Sequence, residues 1–257
     1  MSEKLFPVAF VGHGSPMNAI SSNDYTRALA EYSKRIEVPA AIVVFSAHWL
    51  TRGTYVTGSL NPVQIYDFYG FPQSLYNIIY NSPGKPELAL QLEKNIEGIQ
   101  LDTNRGIDHA AWAVARHMYP GQNVPILEIS LDVEKSPIEH FEFARNFIEY
   151  RKQNILFIGS GNLIHNLRAI EWKQDAAPYK WAADADEWLK DRIESNNIEE
   201  LVNYRTYLLD YQQAIPTNEH YLPMLYVMGM KVPEDNLTTI HESIQNGSIS
   251  MRSFELG

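Results

Sequence analysis

The sequence predicts an α/β fold: one domain over residues 1–257, a mainly parallel central sheet, and helices on both of its faces. Three observations predict it. Short, continuous apolar runs recur at residues 5–11, 40–45, 126–131 and 155–158, as strands buried on both faces require. Between them, apolar residues recur at helical spacing. No internal repeat and no Pro/Gly/Ser-rich linker divides the 257 residues, a length that suits one sizeable core.

Taken in order, residues 5–11 read as a strand that feeds the loop Gly12-His13-Gly14-Ser15-Pro16. A helix follows, capped by Ser22, Asn23 or Asp24, with Tyr25, Leu29, Tyr32 and Ile36 on its apolar face. Residues 40–45 form the next strand and end in Ser46-Ala47-His48-Trp49. This strand–helix–strand order predicts a right-handed βαβ unit. Leu88, Leu92 and Ile96 mark a helix after Pro86; residues 126–131 mark a strand; Ile138, Phe141, Ala144 and Ile148 mark another helix. The strand at 155–158 ends in Gly159-Ser160-Gly161-Asn162. Trp181, Ala185, Trp188 and Ile193 mark a long amphipathic helix, and the nearly all-apolar stretch 221–230 a buried one. Residues 238–241 and 249–254 read as the last strands.

Composition excludes several functions. With 0 Cys there is no disulfide framework, thiolate zinc site, Fe–S cluster or thiol nucleophile, so any metal is held by nitrogen or oxygen. Twenty-one Lys+Arg against 31 Asp+Glu give a net charge of −10, which argues against a nucleic-acid binder. No apolar run approaches a membrane span. Nothing at the start reads as a signal peptide, so a cytoplasmic protein is expected.

The 8 histidines are informative by position. His13 and His48 directly follow strand-like runs, and His165 follows a third across a Gly-Ser-Gly-Asn turn. Open α/β sheets bind ligands beyond the carboxyl ends of their strands, so these imidazoles are expected in one crevice. His109 sits in the turn-like Arg105-Gly106-Ile107-Asp108-His109, and His220 in Pro216-Thr217-Asn218-Glu219-His220 at the start of the buried helix. His117, His140 and His241 lie inside helix- or strand-like segments and receive no role. Imidazole binds Zn, Fe(II), Cu or Ni, and three protein ligands with open positions make a catalytic site. Two His and one carboxylate would favour Fe(II) and O₂ chemistry. On spacing alone the third ligand is either Glu219 or His220, since adjacent side chains point apart. There is no P-loop and no GxSxG elbow; Ser15, Ser46 and Ser160 leave Ser–His hydrolysis open. Tyr66-Asp67-Phe68-Tyr69-Gly70-Phe71-Pro72 suits the wall of a pocket for a planar ring, or equally core packing and a turn.

Six motifs then occur in a telling order: Gly12-His13-Gly14-Ser15-Pro16, Ser46-Ala47-His48-Trp49, the 66–72 stretch, Ile107-Asp108-His109-Ala110-Ala111-Trp112, Gly159-Ser160-Gly161-Asn162-Leu163-Ile164-His165-Asn166-Leu167 and Glu219-His220-Tyr221-Leu222-Pro223. Together they resemble the DODA-type extradiol aromatic ring-opening dioxygenases of the LigB superfamily, most of all the bacterial 4,5-DOPA extradiol group, from Pro7 to the end. The resemblance implies a LigB-like fold with metal on His13, His48 and His220, so that Glu219 is not the ligand. It implies that His165 is the acid/base, approaching the metal closely enough to be a fourth ligand, and that His109 is a second active-site histidine on the oxygen or substrate side. One departure is Ala110, where many relatives carry glycine. The implied reaction is extradiol cleavage of a small catechol, DOPA-like or related, with O₂ and Fe(II), giving a muconic semialdehyde-type product; Zn(II) suits the same ligands. Ser15, Trp49, Tyr69 and Phe71 are the candidate pocket residues. Two other readings compete: a zinc-dependent hydrolase, and a non-catalytic Memo-like metal-binding interaction protein. His13, His48, His165 and His220 together favour an enzyme. No nucleic-acid or membrane partner is expected, and the sequence sets no oligomeric state.

Overall fold

Along β1 (Val8–Gly12) the side chains alternate between two cores, Val8 and Phe10 joining one, Ala9 and Val11 the other. Along β2 (Ala41–Thr51), Ala41, Val43 and Phe45 face the first core, Ile42 and Val44 the second. The alternation follows from the period of two of a strand, and with both faces covered every position becomes apolar. The computed structural model describes residues 5–257. Its further strands are β3 (Thr54–Thr57), β4 (Ile99–Asp102), β5 (Ile126–Asp132), β6 (Ile155–Gly161), β7 (Leu237–His241), β8 (Ile244–Gln245), β9 (Ile249–Ser250) and β10 (Ser253–Leu256). Eight of them form one sheet in the order β4-β3-β5-β2-β6-β1-β10-β7. The centre, β5-β2-β6-β1, is parallel, while β10 and β7 run antiparallel at one edge and β3 pairs antiparallel with β5. The predicted fold class is borne out.

Helices cover both faces. Asp24–Arg35 and His109–Met118 lie on one, contributing Leu29, Tyr32 and Trp112. Pro86–Asn95, Pro137–Ala144, Lys180–Glu194 and Leu222–Gly229 lie on the other. Asn23 caps the first of these helices: its Oδ1 accepts from the Thr26 amide at 2.9 Å, and its own amide donates to Thr26 Oγ1 at 3.0 Å. Among the described residues, no helix is long and apolar enough to cross a membrane.

The structure departs from the sequence expectation in four places. β6 lies between β1 and β2, so these two strands are not neighbours. β2 does not stop at Phe45 but runs on through His48 to Thr51, with a register irregularity against β5 between Phe45 and Leu50. β3 and β4 are four residues each, too short to leave a periodic signal. The turn-like stretch before His109 is the entry to the helix His109–Met118, in which Asp108 accepts from the Ala110 amide at 3.0 Å. That helix is almost wholly buried, so it lacks the polar face that reveals a helix in sequence.

The consequence for the site is positional. Gly12 pairs with Gly161 and Ser46 with Ser160, so β1 and β6 end side by side at the level where β2 runs on into His48.

Candidate metal centre

His13 is the first residue beyond β1, held by its amide to the Gly161 carbonyl at 3.0 Å. Its Nδ1 lies 3.0 Å from Ser160 Oγ, and that hydroxyl donates its single proton to the Ala110 carbonyl at 2.7 Å. The hydroxyl therefore accepts from His13 Nδ1–H, which leaves the Nε2 lone pair free. His48 follows the same logic: its Nδ1 lies 3.1 Å from Asp67 Oδ2. His220 packs under the end of β6, its carbonyl accepting from the Asn162 amide at 2.9 Å. A Cβ on Gly161 would meet that carbonyl at 2.0 Å, so only glycine permits this approach. His220 Nδ1 lies 3.2 Å from Glu219 Oε1, and its Nε2 is buried without a partner.

These arrangements point three ring nitrogens at one place. Donor atoms of His13, His48 and His220 lie within 4.8 Å of one another, and the two Nε2 atoms of His13 and His48 are 3.1 Å apart. Two nitrogens that share an ion, each about 2.1 Å from it, sit roughly 3.0–3.4 Å apart. The donor set, the orphaned Nε2 of His220 and this spacing fit one nitrogen-ligated divalent ion. Burial, then the neighbouring imidazoles, hold His13 and His220 well below the ordinary histidine pKa, in the neutral form that a metal needs. Burial also lowers His48, but the Asp67 hydrogen bond and nearby carboxylates outweigh it and raise the pKa.

His165 stacks on His220, ring centroids 3.6 Å apart and planes 12° from parallel. Its donor nitrogen groups with Glu219 and His220, not with His13 and His48. Burial, then His220, holds it well below the ordinary value. Glu219 Oε1 accepts from Thr217 Oγ1 at 2.8 Å and from His220 Nδ1, so the residue whose atoms join His13 and His48 is His220. The ring of His109 lies 4.3 Å from His48 and 5.4 Å from His13, and its Nδ1 lies 2.8 Å from Asp67 Oδ2. Burial lowers the pKa of His109 as well.

The four pocket candidates fare differently. Ser15 caps the 3₁₀ helix Pro16–Ile20, accepting from the Met17 amide at 3.2 Å. Trp49 is buried with the Arg105 guanidinium 5.2 Å from its ring. Tyr69 is 92% exposed and makes no ring contact among the described residues. Phe71 packs edge-on against Phe68, which in turn packs edge-on against His109 at 5.5 Å. The aromatic ring on the cluster is therefore Phe68, and the carboxylate beneath it is Asp67. Sequence reasoning read the 66–72 stretch as a pocket wall or a turn but singled out Tyr69 and Phe71 rather than these two, although an acid set among aromatic residues was a usable signal. Ala110 serves through its backbone, accepting from Ser160. His117, His140 and His241 bond locally to Asn18, Tyr226 and Ser243 and stand apart from the cluster.

A family model described as the catalytic LigB subunit of aromatic ring-opening dioxygenase matches residues 8–252. The chain is 41% identical to a 4,5-DOPA dioxygenase extradiol of Escherichia coli (strain K12), an alignment covering 100% of this chain and 97% of that protein. It is 32% identical to the 4,5-DOPA dioxygenase extradiol of Beta vulgaris, covering 96% of this chain and 94% of that one. The crystal structure of an uncharacterized protein from Escherichia coli K12 superposes with a TM-score of 0.85 at 37% identity, covering 98% of this chain and 100% of that one.

Proposed function

The chain belongs to the LigB family of catalytic subunits of aromatic ring-opening dioxygenases, and from that premise we propose that it cleaves the ring of a small catechol, DOPA-like or related, in the extradiol manner. The observation that carries this reading is the convergence of the free nitrogens of His13, His48 and His220 beyond the sheet. These three residues are assigned the metal, Fe(II) in the active enzyme. Bound there, Fe(II) supplies a Lewis acid for the diol and a redox centre for O₂.

The rest falls to the chain's own groups. Ser160, Asp67 and Glu219 hold the Nδ1 atoms of the three ligands and so keep each Nε2 turned inward. His165, neutral and free of side-chain hydrogen bonds among the described residues, takes a phenolic proton on a ring nitrogen as the diol binds. His109, beside His48, has Nε2 free because Asp67 holds its Nδ1. Phe68 supplies an apolar edge against the flat substrate. Both atoms of O₂ enter the product, a muconic semialdehyde-type compound.

Protein purified without oxygen, loaded with Fe(II) and exposed to air with a panel of catechols should consume O₂ and form a yellow ring-opened product, one O₂ per ring. Iron bound with neither signal on any catechol overturns the assignment. Hydrolysis of ester substrates without O₂ uptake would point to the hydrolase reading instead.

A further inference from the structure

Asp67 lies outside every strand and helix with its backbone open to solvent, yet its side chain is only 17% exposed. One oxygen, Oδ2, is 3.1 Å from His48 Nδ1 and 2.8 Å from His109 Nδ1. The other, Oδ1, accepts from the His109 amide at 3.0 Å. An ionised carboxylate has no proton to give, so both imidazoles must be the donors. From these contacts we infer that Asp67 is a positioning residue that fixes the tautomers of His48 and His109 together, joining a metal ligand to a pocket base through a single oxygen atom.

The geometry has two consequences. Both Nδ1 atoms carry hydrogen, so both Nε2 atoms face the site as acceptors. And each of the two rings, 4.3 Å apart, is held against rotation by its own bond to that one oxygen. The carboxylate is itself anchored. Gln64 bridges Ile107, the Ile65 amide donates to the Ile107 carbonyl at 2.8 Å, and Trp112 Nε1 donates to the Ile65 carbonyl at 2.9 Å. The loop is thus tied, just before Asp67, to residues on either side of His109. The residue after Asp67 is Phe68, whose ring edge rests on His109. One loop therefore sets ligand orientation and the apolar wall at once.

This inference rests on the metal assignment above, but its test needs neither catechol nor O₂. In Zn(II)-loaded protein labelled with ¹⁵N-histidine, nitrogen shifts report which ring nitrogen bears hydrogen. His48 and His109 should both read as Nδ1–H, with their hydrogen-bonded protons shifted downfield. Asp67→Ala should lose both signals together and weaken Zn(II) binding about 10–100-fold, as loss of a ligand's supporting carboxylate does elsewhere. Asp67→Glu should restore part of each. His109→Ala should leave Zn(II) affinity within a few-fold. An Nε2–H tautomer at either histidine in the unmodified protein overturns the inference, and so does an Asp67→Ala protein that keeps both signals and full affinity. The first of these needs no variant to fold. If the tautomers stand while O₂ uptake fails, the catalytic reading falls and this one survives.

Discussion

A serine hydroxyl carries one proton, and at Ser160 its destination orients His13. Reasoning of this kind separates the histidines that resemble one another in sequence. His13, His48 and His220 each have Nδ1 occupied by a named acceptor, whereas the His165 ring stacks on His220 and makes no side-chain hydrogen bond among the described residues. His165→Ala should therefore bind metal as the unmodified protein does and lose about 10²–10⁴-fold in turnover, the usual contribution of a positioned general base. Metal content by elemental analysis and O₂ uptake check the two halves separately; normal turnover would remove His165 from its role. At this scale the sequence was readable where a residue ended an apolar run, as at His13, or stood in a recognisable motif, as at His220. It was unreadable where function depended on a bond made far along the chain. Nothing near Asp67 announces that His48 and His109 will both bond to it, and nothing near Tyr69 announces that its ring points into solvent.

Between elements, close approach replaces pairwise chemistry. The helix Leu222–Gly229 lies against Pro137–Ala144 so tightly that a Cβ on Gly229 would meet the Phe141 carbonyl at 2.2 Å. At this contact His140 is buried, with Nδ1 2.9 Å from the Tyr226 hydroxyl and Nε2 unpartnered. Burial lowers its pKa to about 4. Below about pH 6.5 the unfolded chain protonates this histidine while the folded protein does not. Stability is therefore full above pH 6.5 and declines as pH falls toward 4, where the folded form protonates too. Urea titrations at pH 7 and 4.5 should show His140→Gln losing less stability on acidification than the unmodified protein, by about 2–3 kcal/mol. Equal losses would show that His140 does not carry the slope. The helix Leu222–Gly229 was legible in the apolar stretch 221–230 because burial made it uniformly hydrophobic. Uniform burial hid His109–Met118 for the same reason, since its small alanine-rich face has no contrasting polar side.

For the whole molecule, the joint between the two ends is decisive. Fully buried Arg151 donates Nε to the Phe6 carbonyl at 2.8 Å and Nη1 to the Met230 carbonyl at 2.9 Å, and meets both oxygens of Asp235 at 2.7 Å. One guanidinium thus ties the entry to β1, the end of the buried helix and the turn before β7. Arg151→Met leaves the Asp235 carboxylate buried without its partner, a loss of about 3–5 kcal/mol. Calorimetry should show Tm falling by roughly 10 °C; a change under about 2 °C would mean the joint is held by other contacts. The architecture was legible in outline because strands covered on both faces must be apolar throughout. The order of strands was not, since placing β6 between β1 and β2 depends on pairings across more than a hundred residues.

The three proposed ligands stand at positions 13, 48 and 220, and β1 is flanked by β10, whose Ser253 hydroxyl accepts from the Gly12 amide at 3.0 Å, one residue before His13. A ribosome releases these pieces in order, so for most of synthesis the growing chain displays two of the imidazoles without the third. No nascent fragment that lacks position 220 can hold an ion as the three proposed ligands together would. On this assignment, firm capture of an ion waits until residue 220 has emerged and β10 has seated beside Gly12, the residue before His13.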